Sequence, residues 1–291
     1  MDKIIVPAPA KINLSLDIIG FRSDSYHDLE MIMQSIELHD DIIIEKNNKK
    51  RIVISTSVKN LPEGRKNLAY QAASKILEKS GIKEGVSIHI NKKIPISAGL
   101  AGGSTDAAAT LKGINLLFDL NYSYKELEVL AGQIGSDLPF CLRGGTVYAT
   151  GKGNILKQLP DLGPIELLII KLPIEISTTD VYKRYDILQE DINVPTNNLL
   201  NIIMSGKEIK WDEGWRNVLE GVTSELVPEI KKINKFFADN NIFSMMSGSG
   251  PSVFAIIDSQ NKKDLIKNKQ SIFPGDKIFT RMVKKDFMEL W

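Results

Sequence analysis

The chain has a single cysteine, Cys141, in 291 residues. That excludes an internal disulfide framework and suits a reducing compartment. It also lacks a charge imbalance: 37 Lys and Arg against 36 Asp and Glu leave a formal net charge of +1. Such a balance gives no electrostatic ground for nucleic acid or an anionic membrane as the main partner. No apolar run approaches the roughly 20 residues that span a bilayer. The opening Met1-Asp2-Lys3-Ile4-Ile5-Val6 lacks the long apolar stretch and small-residue cleavage site of a signal peptide. A cytoplasmic protein is expected. No fixed-period repeat and no low-complexity tract occur. Two common nucleotide signatures are missing as well. No Gly-x4-Gly-Lys-Ser/Thr is present, since Gly145 to Gly151 has the wrong spacing and Gly153 stands where the hydroxyl should be. No Gly-x-Gly-x-x-Gly follows a strand, so neither a P-loop nor a dinucleotide fold is supported.

What is present is apolar enough, at 43%, for a sizeable core of one large or two ordinary domains. The most distinctive stretch runs from Ile94 to Ala109. Val86, Ile88 and Ile90 alternate before it as a strand does, and an Ala-rich run after it reads as a helix. Between them, Pro95 fixes the entry. Gly99, Gly102 and Gly103 allow φ > 0 and close approach of a ligand. Successive N–H groups feeding a helix N-terminus make an anion site. Ser104 reads as an N-cap or as a hydroxyl ligand to a phosphate or metal. Read alone, the loop also fits a plain close-packing turn.

Residues 3 to 18 read as a strand, a break at Pro7 and Pro9, and a second strand in which Ile12, Leu14, Leu16 and Ile18 alternate. Lys11 and Asn13 share the opposite face, which alone reads as solvated. Tyr26 and His27 lie in a polar loop. Met31 to Leu38 alternates, and Asp40-Asp41 leads into Ile42-Ile43-Ile44. The basic run Lys46 to Arg51 reads as a solvated hairpin turn before the strand Ile52–Ile54, without aromatics to suggest nucleic acid. Asn67 to Lys79 is helix-patterned with Gly81 as C-cap. Ser123, with Glu126 three residues on, starts another helix. Asp137 stands before Pro139 in a turn, where an Asx-turn or helix cap is the ordinary role. Leu159 to Pro164 is the best linker. Beyond it the pattern gives a strand at Leu167–Lys171 and a helix capped near Ser177 that carries Val181 and Tyr182. Helices follow at Asn197–Ile203, Asn217–Leu219 and Glu229–Ala238, and strands at Ile242–Met246 and Val253–Ile257. Lys262–Lys269 reads as a charged helix and Ile278–Met282 as a last strand. The loop Ser247-Gly248-Ser249-Gly250-Pro251 is either a phosphate-approaching loop or a plain hairpin turn.

Three small-residue loops in this order, Pro9 to Leu14, Pro95 to Ala108 and Ser247 to Pro251, resemble the three motifs of the GHMP kinases. Gly20-x-Arg22-x-Asp24-x-Tyr26-His27-x-Leu29 and Gly135-Ser136-Asp137-Leu138-Pro139-Phe140 are similar to the branch that phosphorylates a cytidine diphosphate-linked methylerythritol, in the non-mevalonate route to isoprenoids. Ser97 and Ala98 replace glycines often found early in the middle loop, and Ser25 stands where Gly is usual before Tyr-His. The resemblance implies an α+β GHMP kinase fold. A ribosomal-protein-type N-terminal ATP-binding domain would span 1–158 and a ferredoxin-like C-terminal domain 159–291, with the site in the cleft between.

It implies ATP as co-substrate with Mg2+, and a small-molecule partner, in a monomer or homodimer. Lys11 and Asp137 would be catalytic. Asn67, Leu68, Pro95, Ser97, Ala98, Gly99, Leu100, Ala101, Gly102, Gly103, Ser104 and Thr105 would bind ATP. Asn13, Tyr26, His27, Asp137, Tyr182, Gly248, Ser249 and Gly250 would bind the acceptor. His27 would hydrogen-bond cytosine, with Tyr26 on one face and Tyr182 on the other. A protein ligand for Mg2+ is not readable, Ser104 and Asp137 both being conceivable. Two alternatives stay open: another GHMP kinase of homoserine or mevalonate type, and a non-catalytic nucleotide-binding sensor.

Overall fold

The computed structural model describes residues 1–59, 61–188, 195–211, 214–269, 273–285 and 287. Its first sheet is built on one long strand. β1 (Lys3–Phe21) runs antiparallel along one edge of β2 (His27–Asn47) for nearly its whole length. Along the other edge of β2, the strand β5 (Thr146–Gly151) pairs with the first half and β4 (Gly85–Asn91) with the second. β3 (Ile52–Thr56) lies outside β4 and parallel to it, and β6 (Ile155–Gln158) lies outside β5.

Two expectations about these strands are corrected. Residues 3 to 21 form one strand rather than two. β1 pairs with no strand but β2 among the described residues, and Pro7 and Pro9, two apart, put their missing N–H groups on the same side of it. An edge strand tolerates that. The strain goes instead into an irregularity of register between Pro9 and Lys11. The basic run Lys46–Arg51 is not a hairpin turn either, because β4 inserts between β2 and β3. A crossover through α1 (Leu68–Ser80) returns the chain to β4, as parallel pairing requires.

The caps agree with the sequence. Asn67 accepts from Ala69 N at 2.8 Å, and Gly81 ends α1 with φ +70°. Ser123 and Glu126 close a reciprocal capping box on α3 (Tyr124–Gly132). α1, α3, α2 (Gly102–Leu117) and α4 (Leu138–Arg143) share one core with the sheet.

The second sheet has the order β10-β7-β9-β8, all antiparallel: β7 (Glu166–Lys171), β8 (Ser244–Met246), β9 (Ser252–Ile257) and β10 (Asp276–Arg281). Taken in chain order that is 4-1-3-2. The helices α5 (Thr178–Leu188), α6 (Thr196–Met204), α7 (Val218–Leu226) and α8 (Glu229–Asp239) come between β7 and β8. α9 (Gln260–Asn268) comes between β9 and β10, which completes a ferredoxin-like arrangement.

The two sheets bury a common core. Ile12, Leu14, Ile32 and Ile36 from the first meet Leu167, Ile169, Phe254 and Ile256 from the second. The chain crosses back after β10: Val283 N donates to Ser35 O at 3.0 Å, and Ile36 bridges Met282. No helix among the described residues is long and apolar enough to cross a membrane.

Phe254 is fully buried in the inter-sheet core. Phe254→Ala should cost about 3–5 kcal/mol of stability, read as a lower urea midpoint. A loss below ~1 kcal/mol would mean that the two sheets do not depend on this core.

Candidate active site

Lys11 and Asn13 lie on one face of β1, as the alternation predicts, but that face is not solvated. They are 5% and 1% exposed. The irregular register after Pro9 lets β1 turn Lys11 toward the middle loop, and Lys11 N donates to Leu100 O at 3.2 Å. Lys11 Nζ donates to Asn13 Oδ1 at 2.6 Å and stands 4.0 Å from Asp137 Oδ2. A buried ammonium needs a counter-charge, and this carboxylate supplies one. Asp137 occupies the N-cap position of α4, yet its side chain caps nothing. The ordinary structural role is therefore vacant, and the carboxylate points at Lys11 instead.

The middle loop is wound by alternating left-handed residues. Ser97 (φ +53°), Gly99 (φ +72°) and Ala101 (φ +59°) take positive φ, whereas Gly102 and Gly103 do not. Of the three glycines that allow φ > 0, only Gly99 uses it. Gly102 and Gly103 are already in α2, and at Gly102 a Cβ would stand 3.1 Å from Lys92 Nζ. Ser104 is not the N-cap either. That position is Ala101, which has no capping side chain, so the first-turn N–H groups of a 16-residue helix carry no side-chain cap. Such a terminus favours an anion.

The third loop closes on the other two. Ser247 Oγ donates to Gly99 O at 3.1 Å and receives Asn13 N at 3.4 Å. Asn217, the N-cap of α7, donates to Met246 O at 2.9 Å and Gly248 O at 2.8 Å. Glu220 accepts from Met246 N, and its burial holds the carboxyl above the usual range. The Ser247–Pro251 segment does join β8 to β9 as a hairpin loop, and it packs on the centre as well.

Together these elements bound a cavity of about 970 Å³, within the range of small-molecule sites. All residues that the sequence assigns to the site line it except two. Thr105 is buried and donates to Pro9 O at 2.7 Å, and a Cβ on Gly250 would meet Met246 and Thr223. Asn67 lines it, but its side chain is committed to Ala69 N and Pro62 O. His27 also lines it; its Nε2 lies 2.7 Å from Asp186 Oδ1, and its ring is 4.9 Å from that of Tyr182. Tyr26 is 58% exposed and carries the Lys152 ammonium over its ring at 4.1 Å.

Several functional positions escaped the sequence reading. Asp40 accepts from Lys93 N and Ile94 N and so pins the start of the middle loop to β2. Lys92 lies between Asp40 and Asp106. Burial opposes its charge, but the two carboxylates outweigh it and its pKa is raised. Burial likewise pushes the Asp106 carboxyl up, and its Oδ1 has no hydrogen-bond partner among the described residues. Asp40 accepts from three donors, the Lys92 ammonium and the two backbone N–H groups. Nothing in the local sequence marks this trio. Asn217 did carry a signal, an Asn ahead of a helical pattern. Burial, with the Asp137 charge second, pushes the Cys141 thiol and the Tyr182 hydroxyl up.

A family model described as "GHMP kinases N terminal domain" matches residues 67–145, and one described as "GHMP kinases C terminal" matches 207–271. A 4-diphosphocytidyl-2-C-methyl-D-erythritol kinase of Caldicellulosiruptor saccharolyticus is 42% identical over 98% of both chains. One of Listeria monocytogenes is 41% identical over 91% of both. Among solved structures, a 4-(cytidine 5'-diphospho)-2C-methyl-D-erythritol kinase superposes with a TM-score of 0.79 at 30% identity, covering 96% of this chain and 99% of the other. A homoserine kinase from Cytophaga hutchinsonii gives 0.78 at 22% identity, over 98% and 96%. That second likeness is one of fold.

At Gly99 a Cβ would come within 2.3 Å of Ser247 O, and at Gly248 within 3.2 Å of Gly99 O. Gly99→Ala should therefore lose about 1–3 kcal/mol in urea unfolding, and more than Gly248→Ala; the reverse ranking would mean that the loops do not pack this closely. Cys141 is fully buried, and a raised thiol pKa keeps it protonated. The native protein should leave it unlabelled by a thiol reagent at pH 8, with one thiol per chain reacting after unfolding. Rapid native labelling would contradict this.

Proposed function

The chain belongs to the GHMP kinases, and within that family we propose that it is a 4-diphosphocytidyl-2-C-methyl-D-erythritol kinase with Asp137 as base and Lys11 as its charge partner. The reaction moves the γ-phosphoryl group of ATP to the 2-hydroxyl of the acceptor. The acceptor oxygen forms a bond to phosphorus, the bridging bond to the β-phosphate breaks, and ADP leaves. The hydroxyl proton goes to Asp137.

Phosphoryl transfer asks for positioning and charge neutralisation more than covalent help. The uncapped start of α2 supplies backbone N–H groups for the ATP phosphates, with Gly99 to Ser104 around them. Lys11, held by Asn13, keeps a positive charge beside the carboxylate and beside the developing phosphoryl charge. Asn13 orients the acceptor hydroxyl, and Gly248 and Ser249 approach its phosphates. Asn67 and Leu68 line the adenine end. The cytosine end is formed by His27, Tyr26 and Tyr182.

Mg2+ fits as an ion carried mainly by phosphate and water. No group of three His, Cys, Asp or Glu among the described residues could hold a metal. Ser104 and Asp137 are the cavity-lining oxygens that would reach it. When bound, the ion adds neutralisation of the phosphate charge.

The observation that carries the role assignment is the 4.0 Å approach of Lys11 to an Asp137 carboxylate that caps no helix, inside the shared cavity. Asp137→Asn should lower turnover of the cytidyl substrate at least ~10²-fold in a coupled ADP-release assay, with the melting temperature kept. Wild-type turnover would remove Asp137 from the mechanism. Saturable activity on homoserine or mevalonate, with none on the cytidyl acceptor, would reassign the substrate.

A further inference from the structure

Helix α5 brings three side chains to His27. The Tyr182 ring lies 4.9 Å from the imidazole, Tyr185 meets it edge-on at 6.4 Å, and Asp186 Oδ1 sits 2.7 Å from Nε2. Tyr182 and Asp186 are four residues apart, so they project from the same face of the helix. Phe21 closes a further side, edge-on at 5.3 Å. The His27 side chain is 11% exposed and that of Asp186 45%. The imidazole is thus enclosed by rings while the carboxylate stays open, and both line the cavity. The phosphoryl transfer itself has no use for this pair.

An ionised carboxylate only accepts hydrogen bonds, so Nε2 of His27 carries the hydrogen. One oxygen of Asp186 is engaged by it, and among the described residues no second donor reaches Oδ2, which can accept one. Cytosine and uracil differ at this kind of contact. Cytosine carries an N4 amino donor, which carboxylates accept from; uracil carries an oxygen there, which has no hydrogen to give. We propose that Asp186 is the residue that selects cytosine over uracil, its Oδ1 fixing His27 and its Oδ2 accepting from the N4 amino group. The proposal rests on the cytidine reading of the substrate given above. Selection then comes from repulsion of the wrong base as much as attraction of the right one.

The test is calorimetric titration of CDP and of UDP into the whole protein and into Asp186→Asn, with a melting temperature recorded for each. Wild type should prefer CDP by about tenfold or more. In Asp186→Asn, whose amide can offer a donor to the uracil oxygen, the ratio should fall to about one or below. With the full cytidyl substrate the same variant should raise KM and leave kcat nearly unchanged. If Asp186→Asn melts early, Asp186→Ser is read in the same way. An unchanged CDP-to-UDP ratio in a folded variant would overturn the assignment of Asp186 and leave the kinase reading standing. Equal binding of both nucleotides by wild type would do the same. Failure of wild type to bind either would overturn the cytidine reading together with this one.

Discussion

The arrangement depends on one buried ammonium. Lys11 is 5% exposed at the middle of a strand, where an unpaired charge would cost several kcal/mol. Its charge is tolerable only because Asn13 accepts from it and Asp137 stands 4.0 Å away. That fixes what the surrounding loops must do. The start of α4 must face β1, the middle loop must pass over Lys11, and the Ser247 loop must lie close enough for a serine hydroxyl to touch both. Each contact is made by backbone or by a short side chain, which leaves room for phosphates.

Much of this was legible because the signals are local. The Ser123–Glu126 box, the Gly81 cap and the alternation that sets Lys11 and Asn13 on one face are consequences of near neighbours in the chain. The substitutions in the glycine-bearing motifs were legible too, and their meaning is physical. Ser25 has φ +65° and Ser97 φ +53°, so both stand where a residue without Cβ is at ease. A small polar side chain is the mild replacement. Ala98, by contrast, has no such conformation and is simply buried.

What the sequence hid is non-local. No local pattern reveals that β4 enters between β2 and β3, since sequence neighbours read as a hairpin until a third strand competes for the edge. The burial of the Lys11 face needs the second half of the chain, which supplies Ser247 and Asn217. The Asp40–Lys92–Asp106 trio joins a strand, a loop and a helix, and each residue alone reads as an ordinary surface charge. His27 illustrates both limits. Its place beside Tyr26 was visible, while its enclosure by Tyr182 and Tyr185 and its pairing with Asp186 required α5 to fold back over it.

The central claim is that Lys11 and Asp137 work as one unit, and a double-mutant cycle on kcat/KM for the cytidyl substrate tests it most directly. Lys11→Met, Asp137→Asn and the double variant would each be compared with wild type. The account predicts strong non-additivity, the double variant being little slower than the slower single one. Two losses that simply multiply would show that the ammonium and the carboxylate act independently.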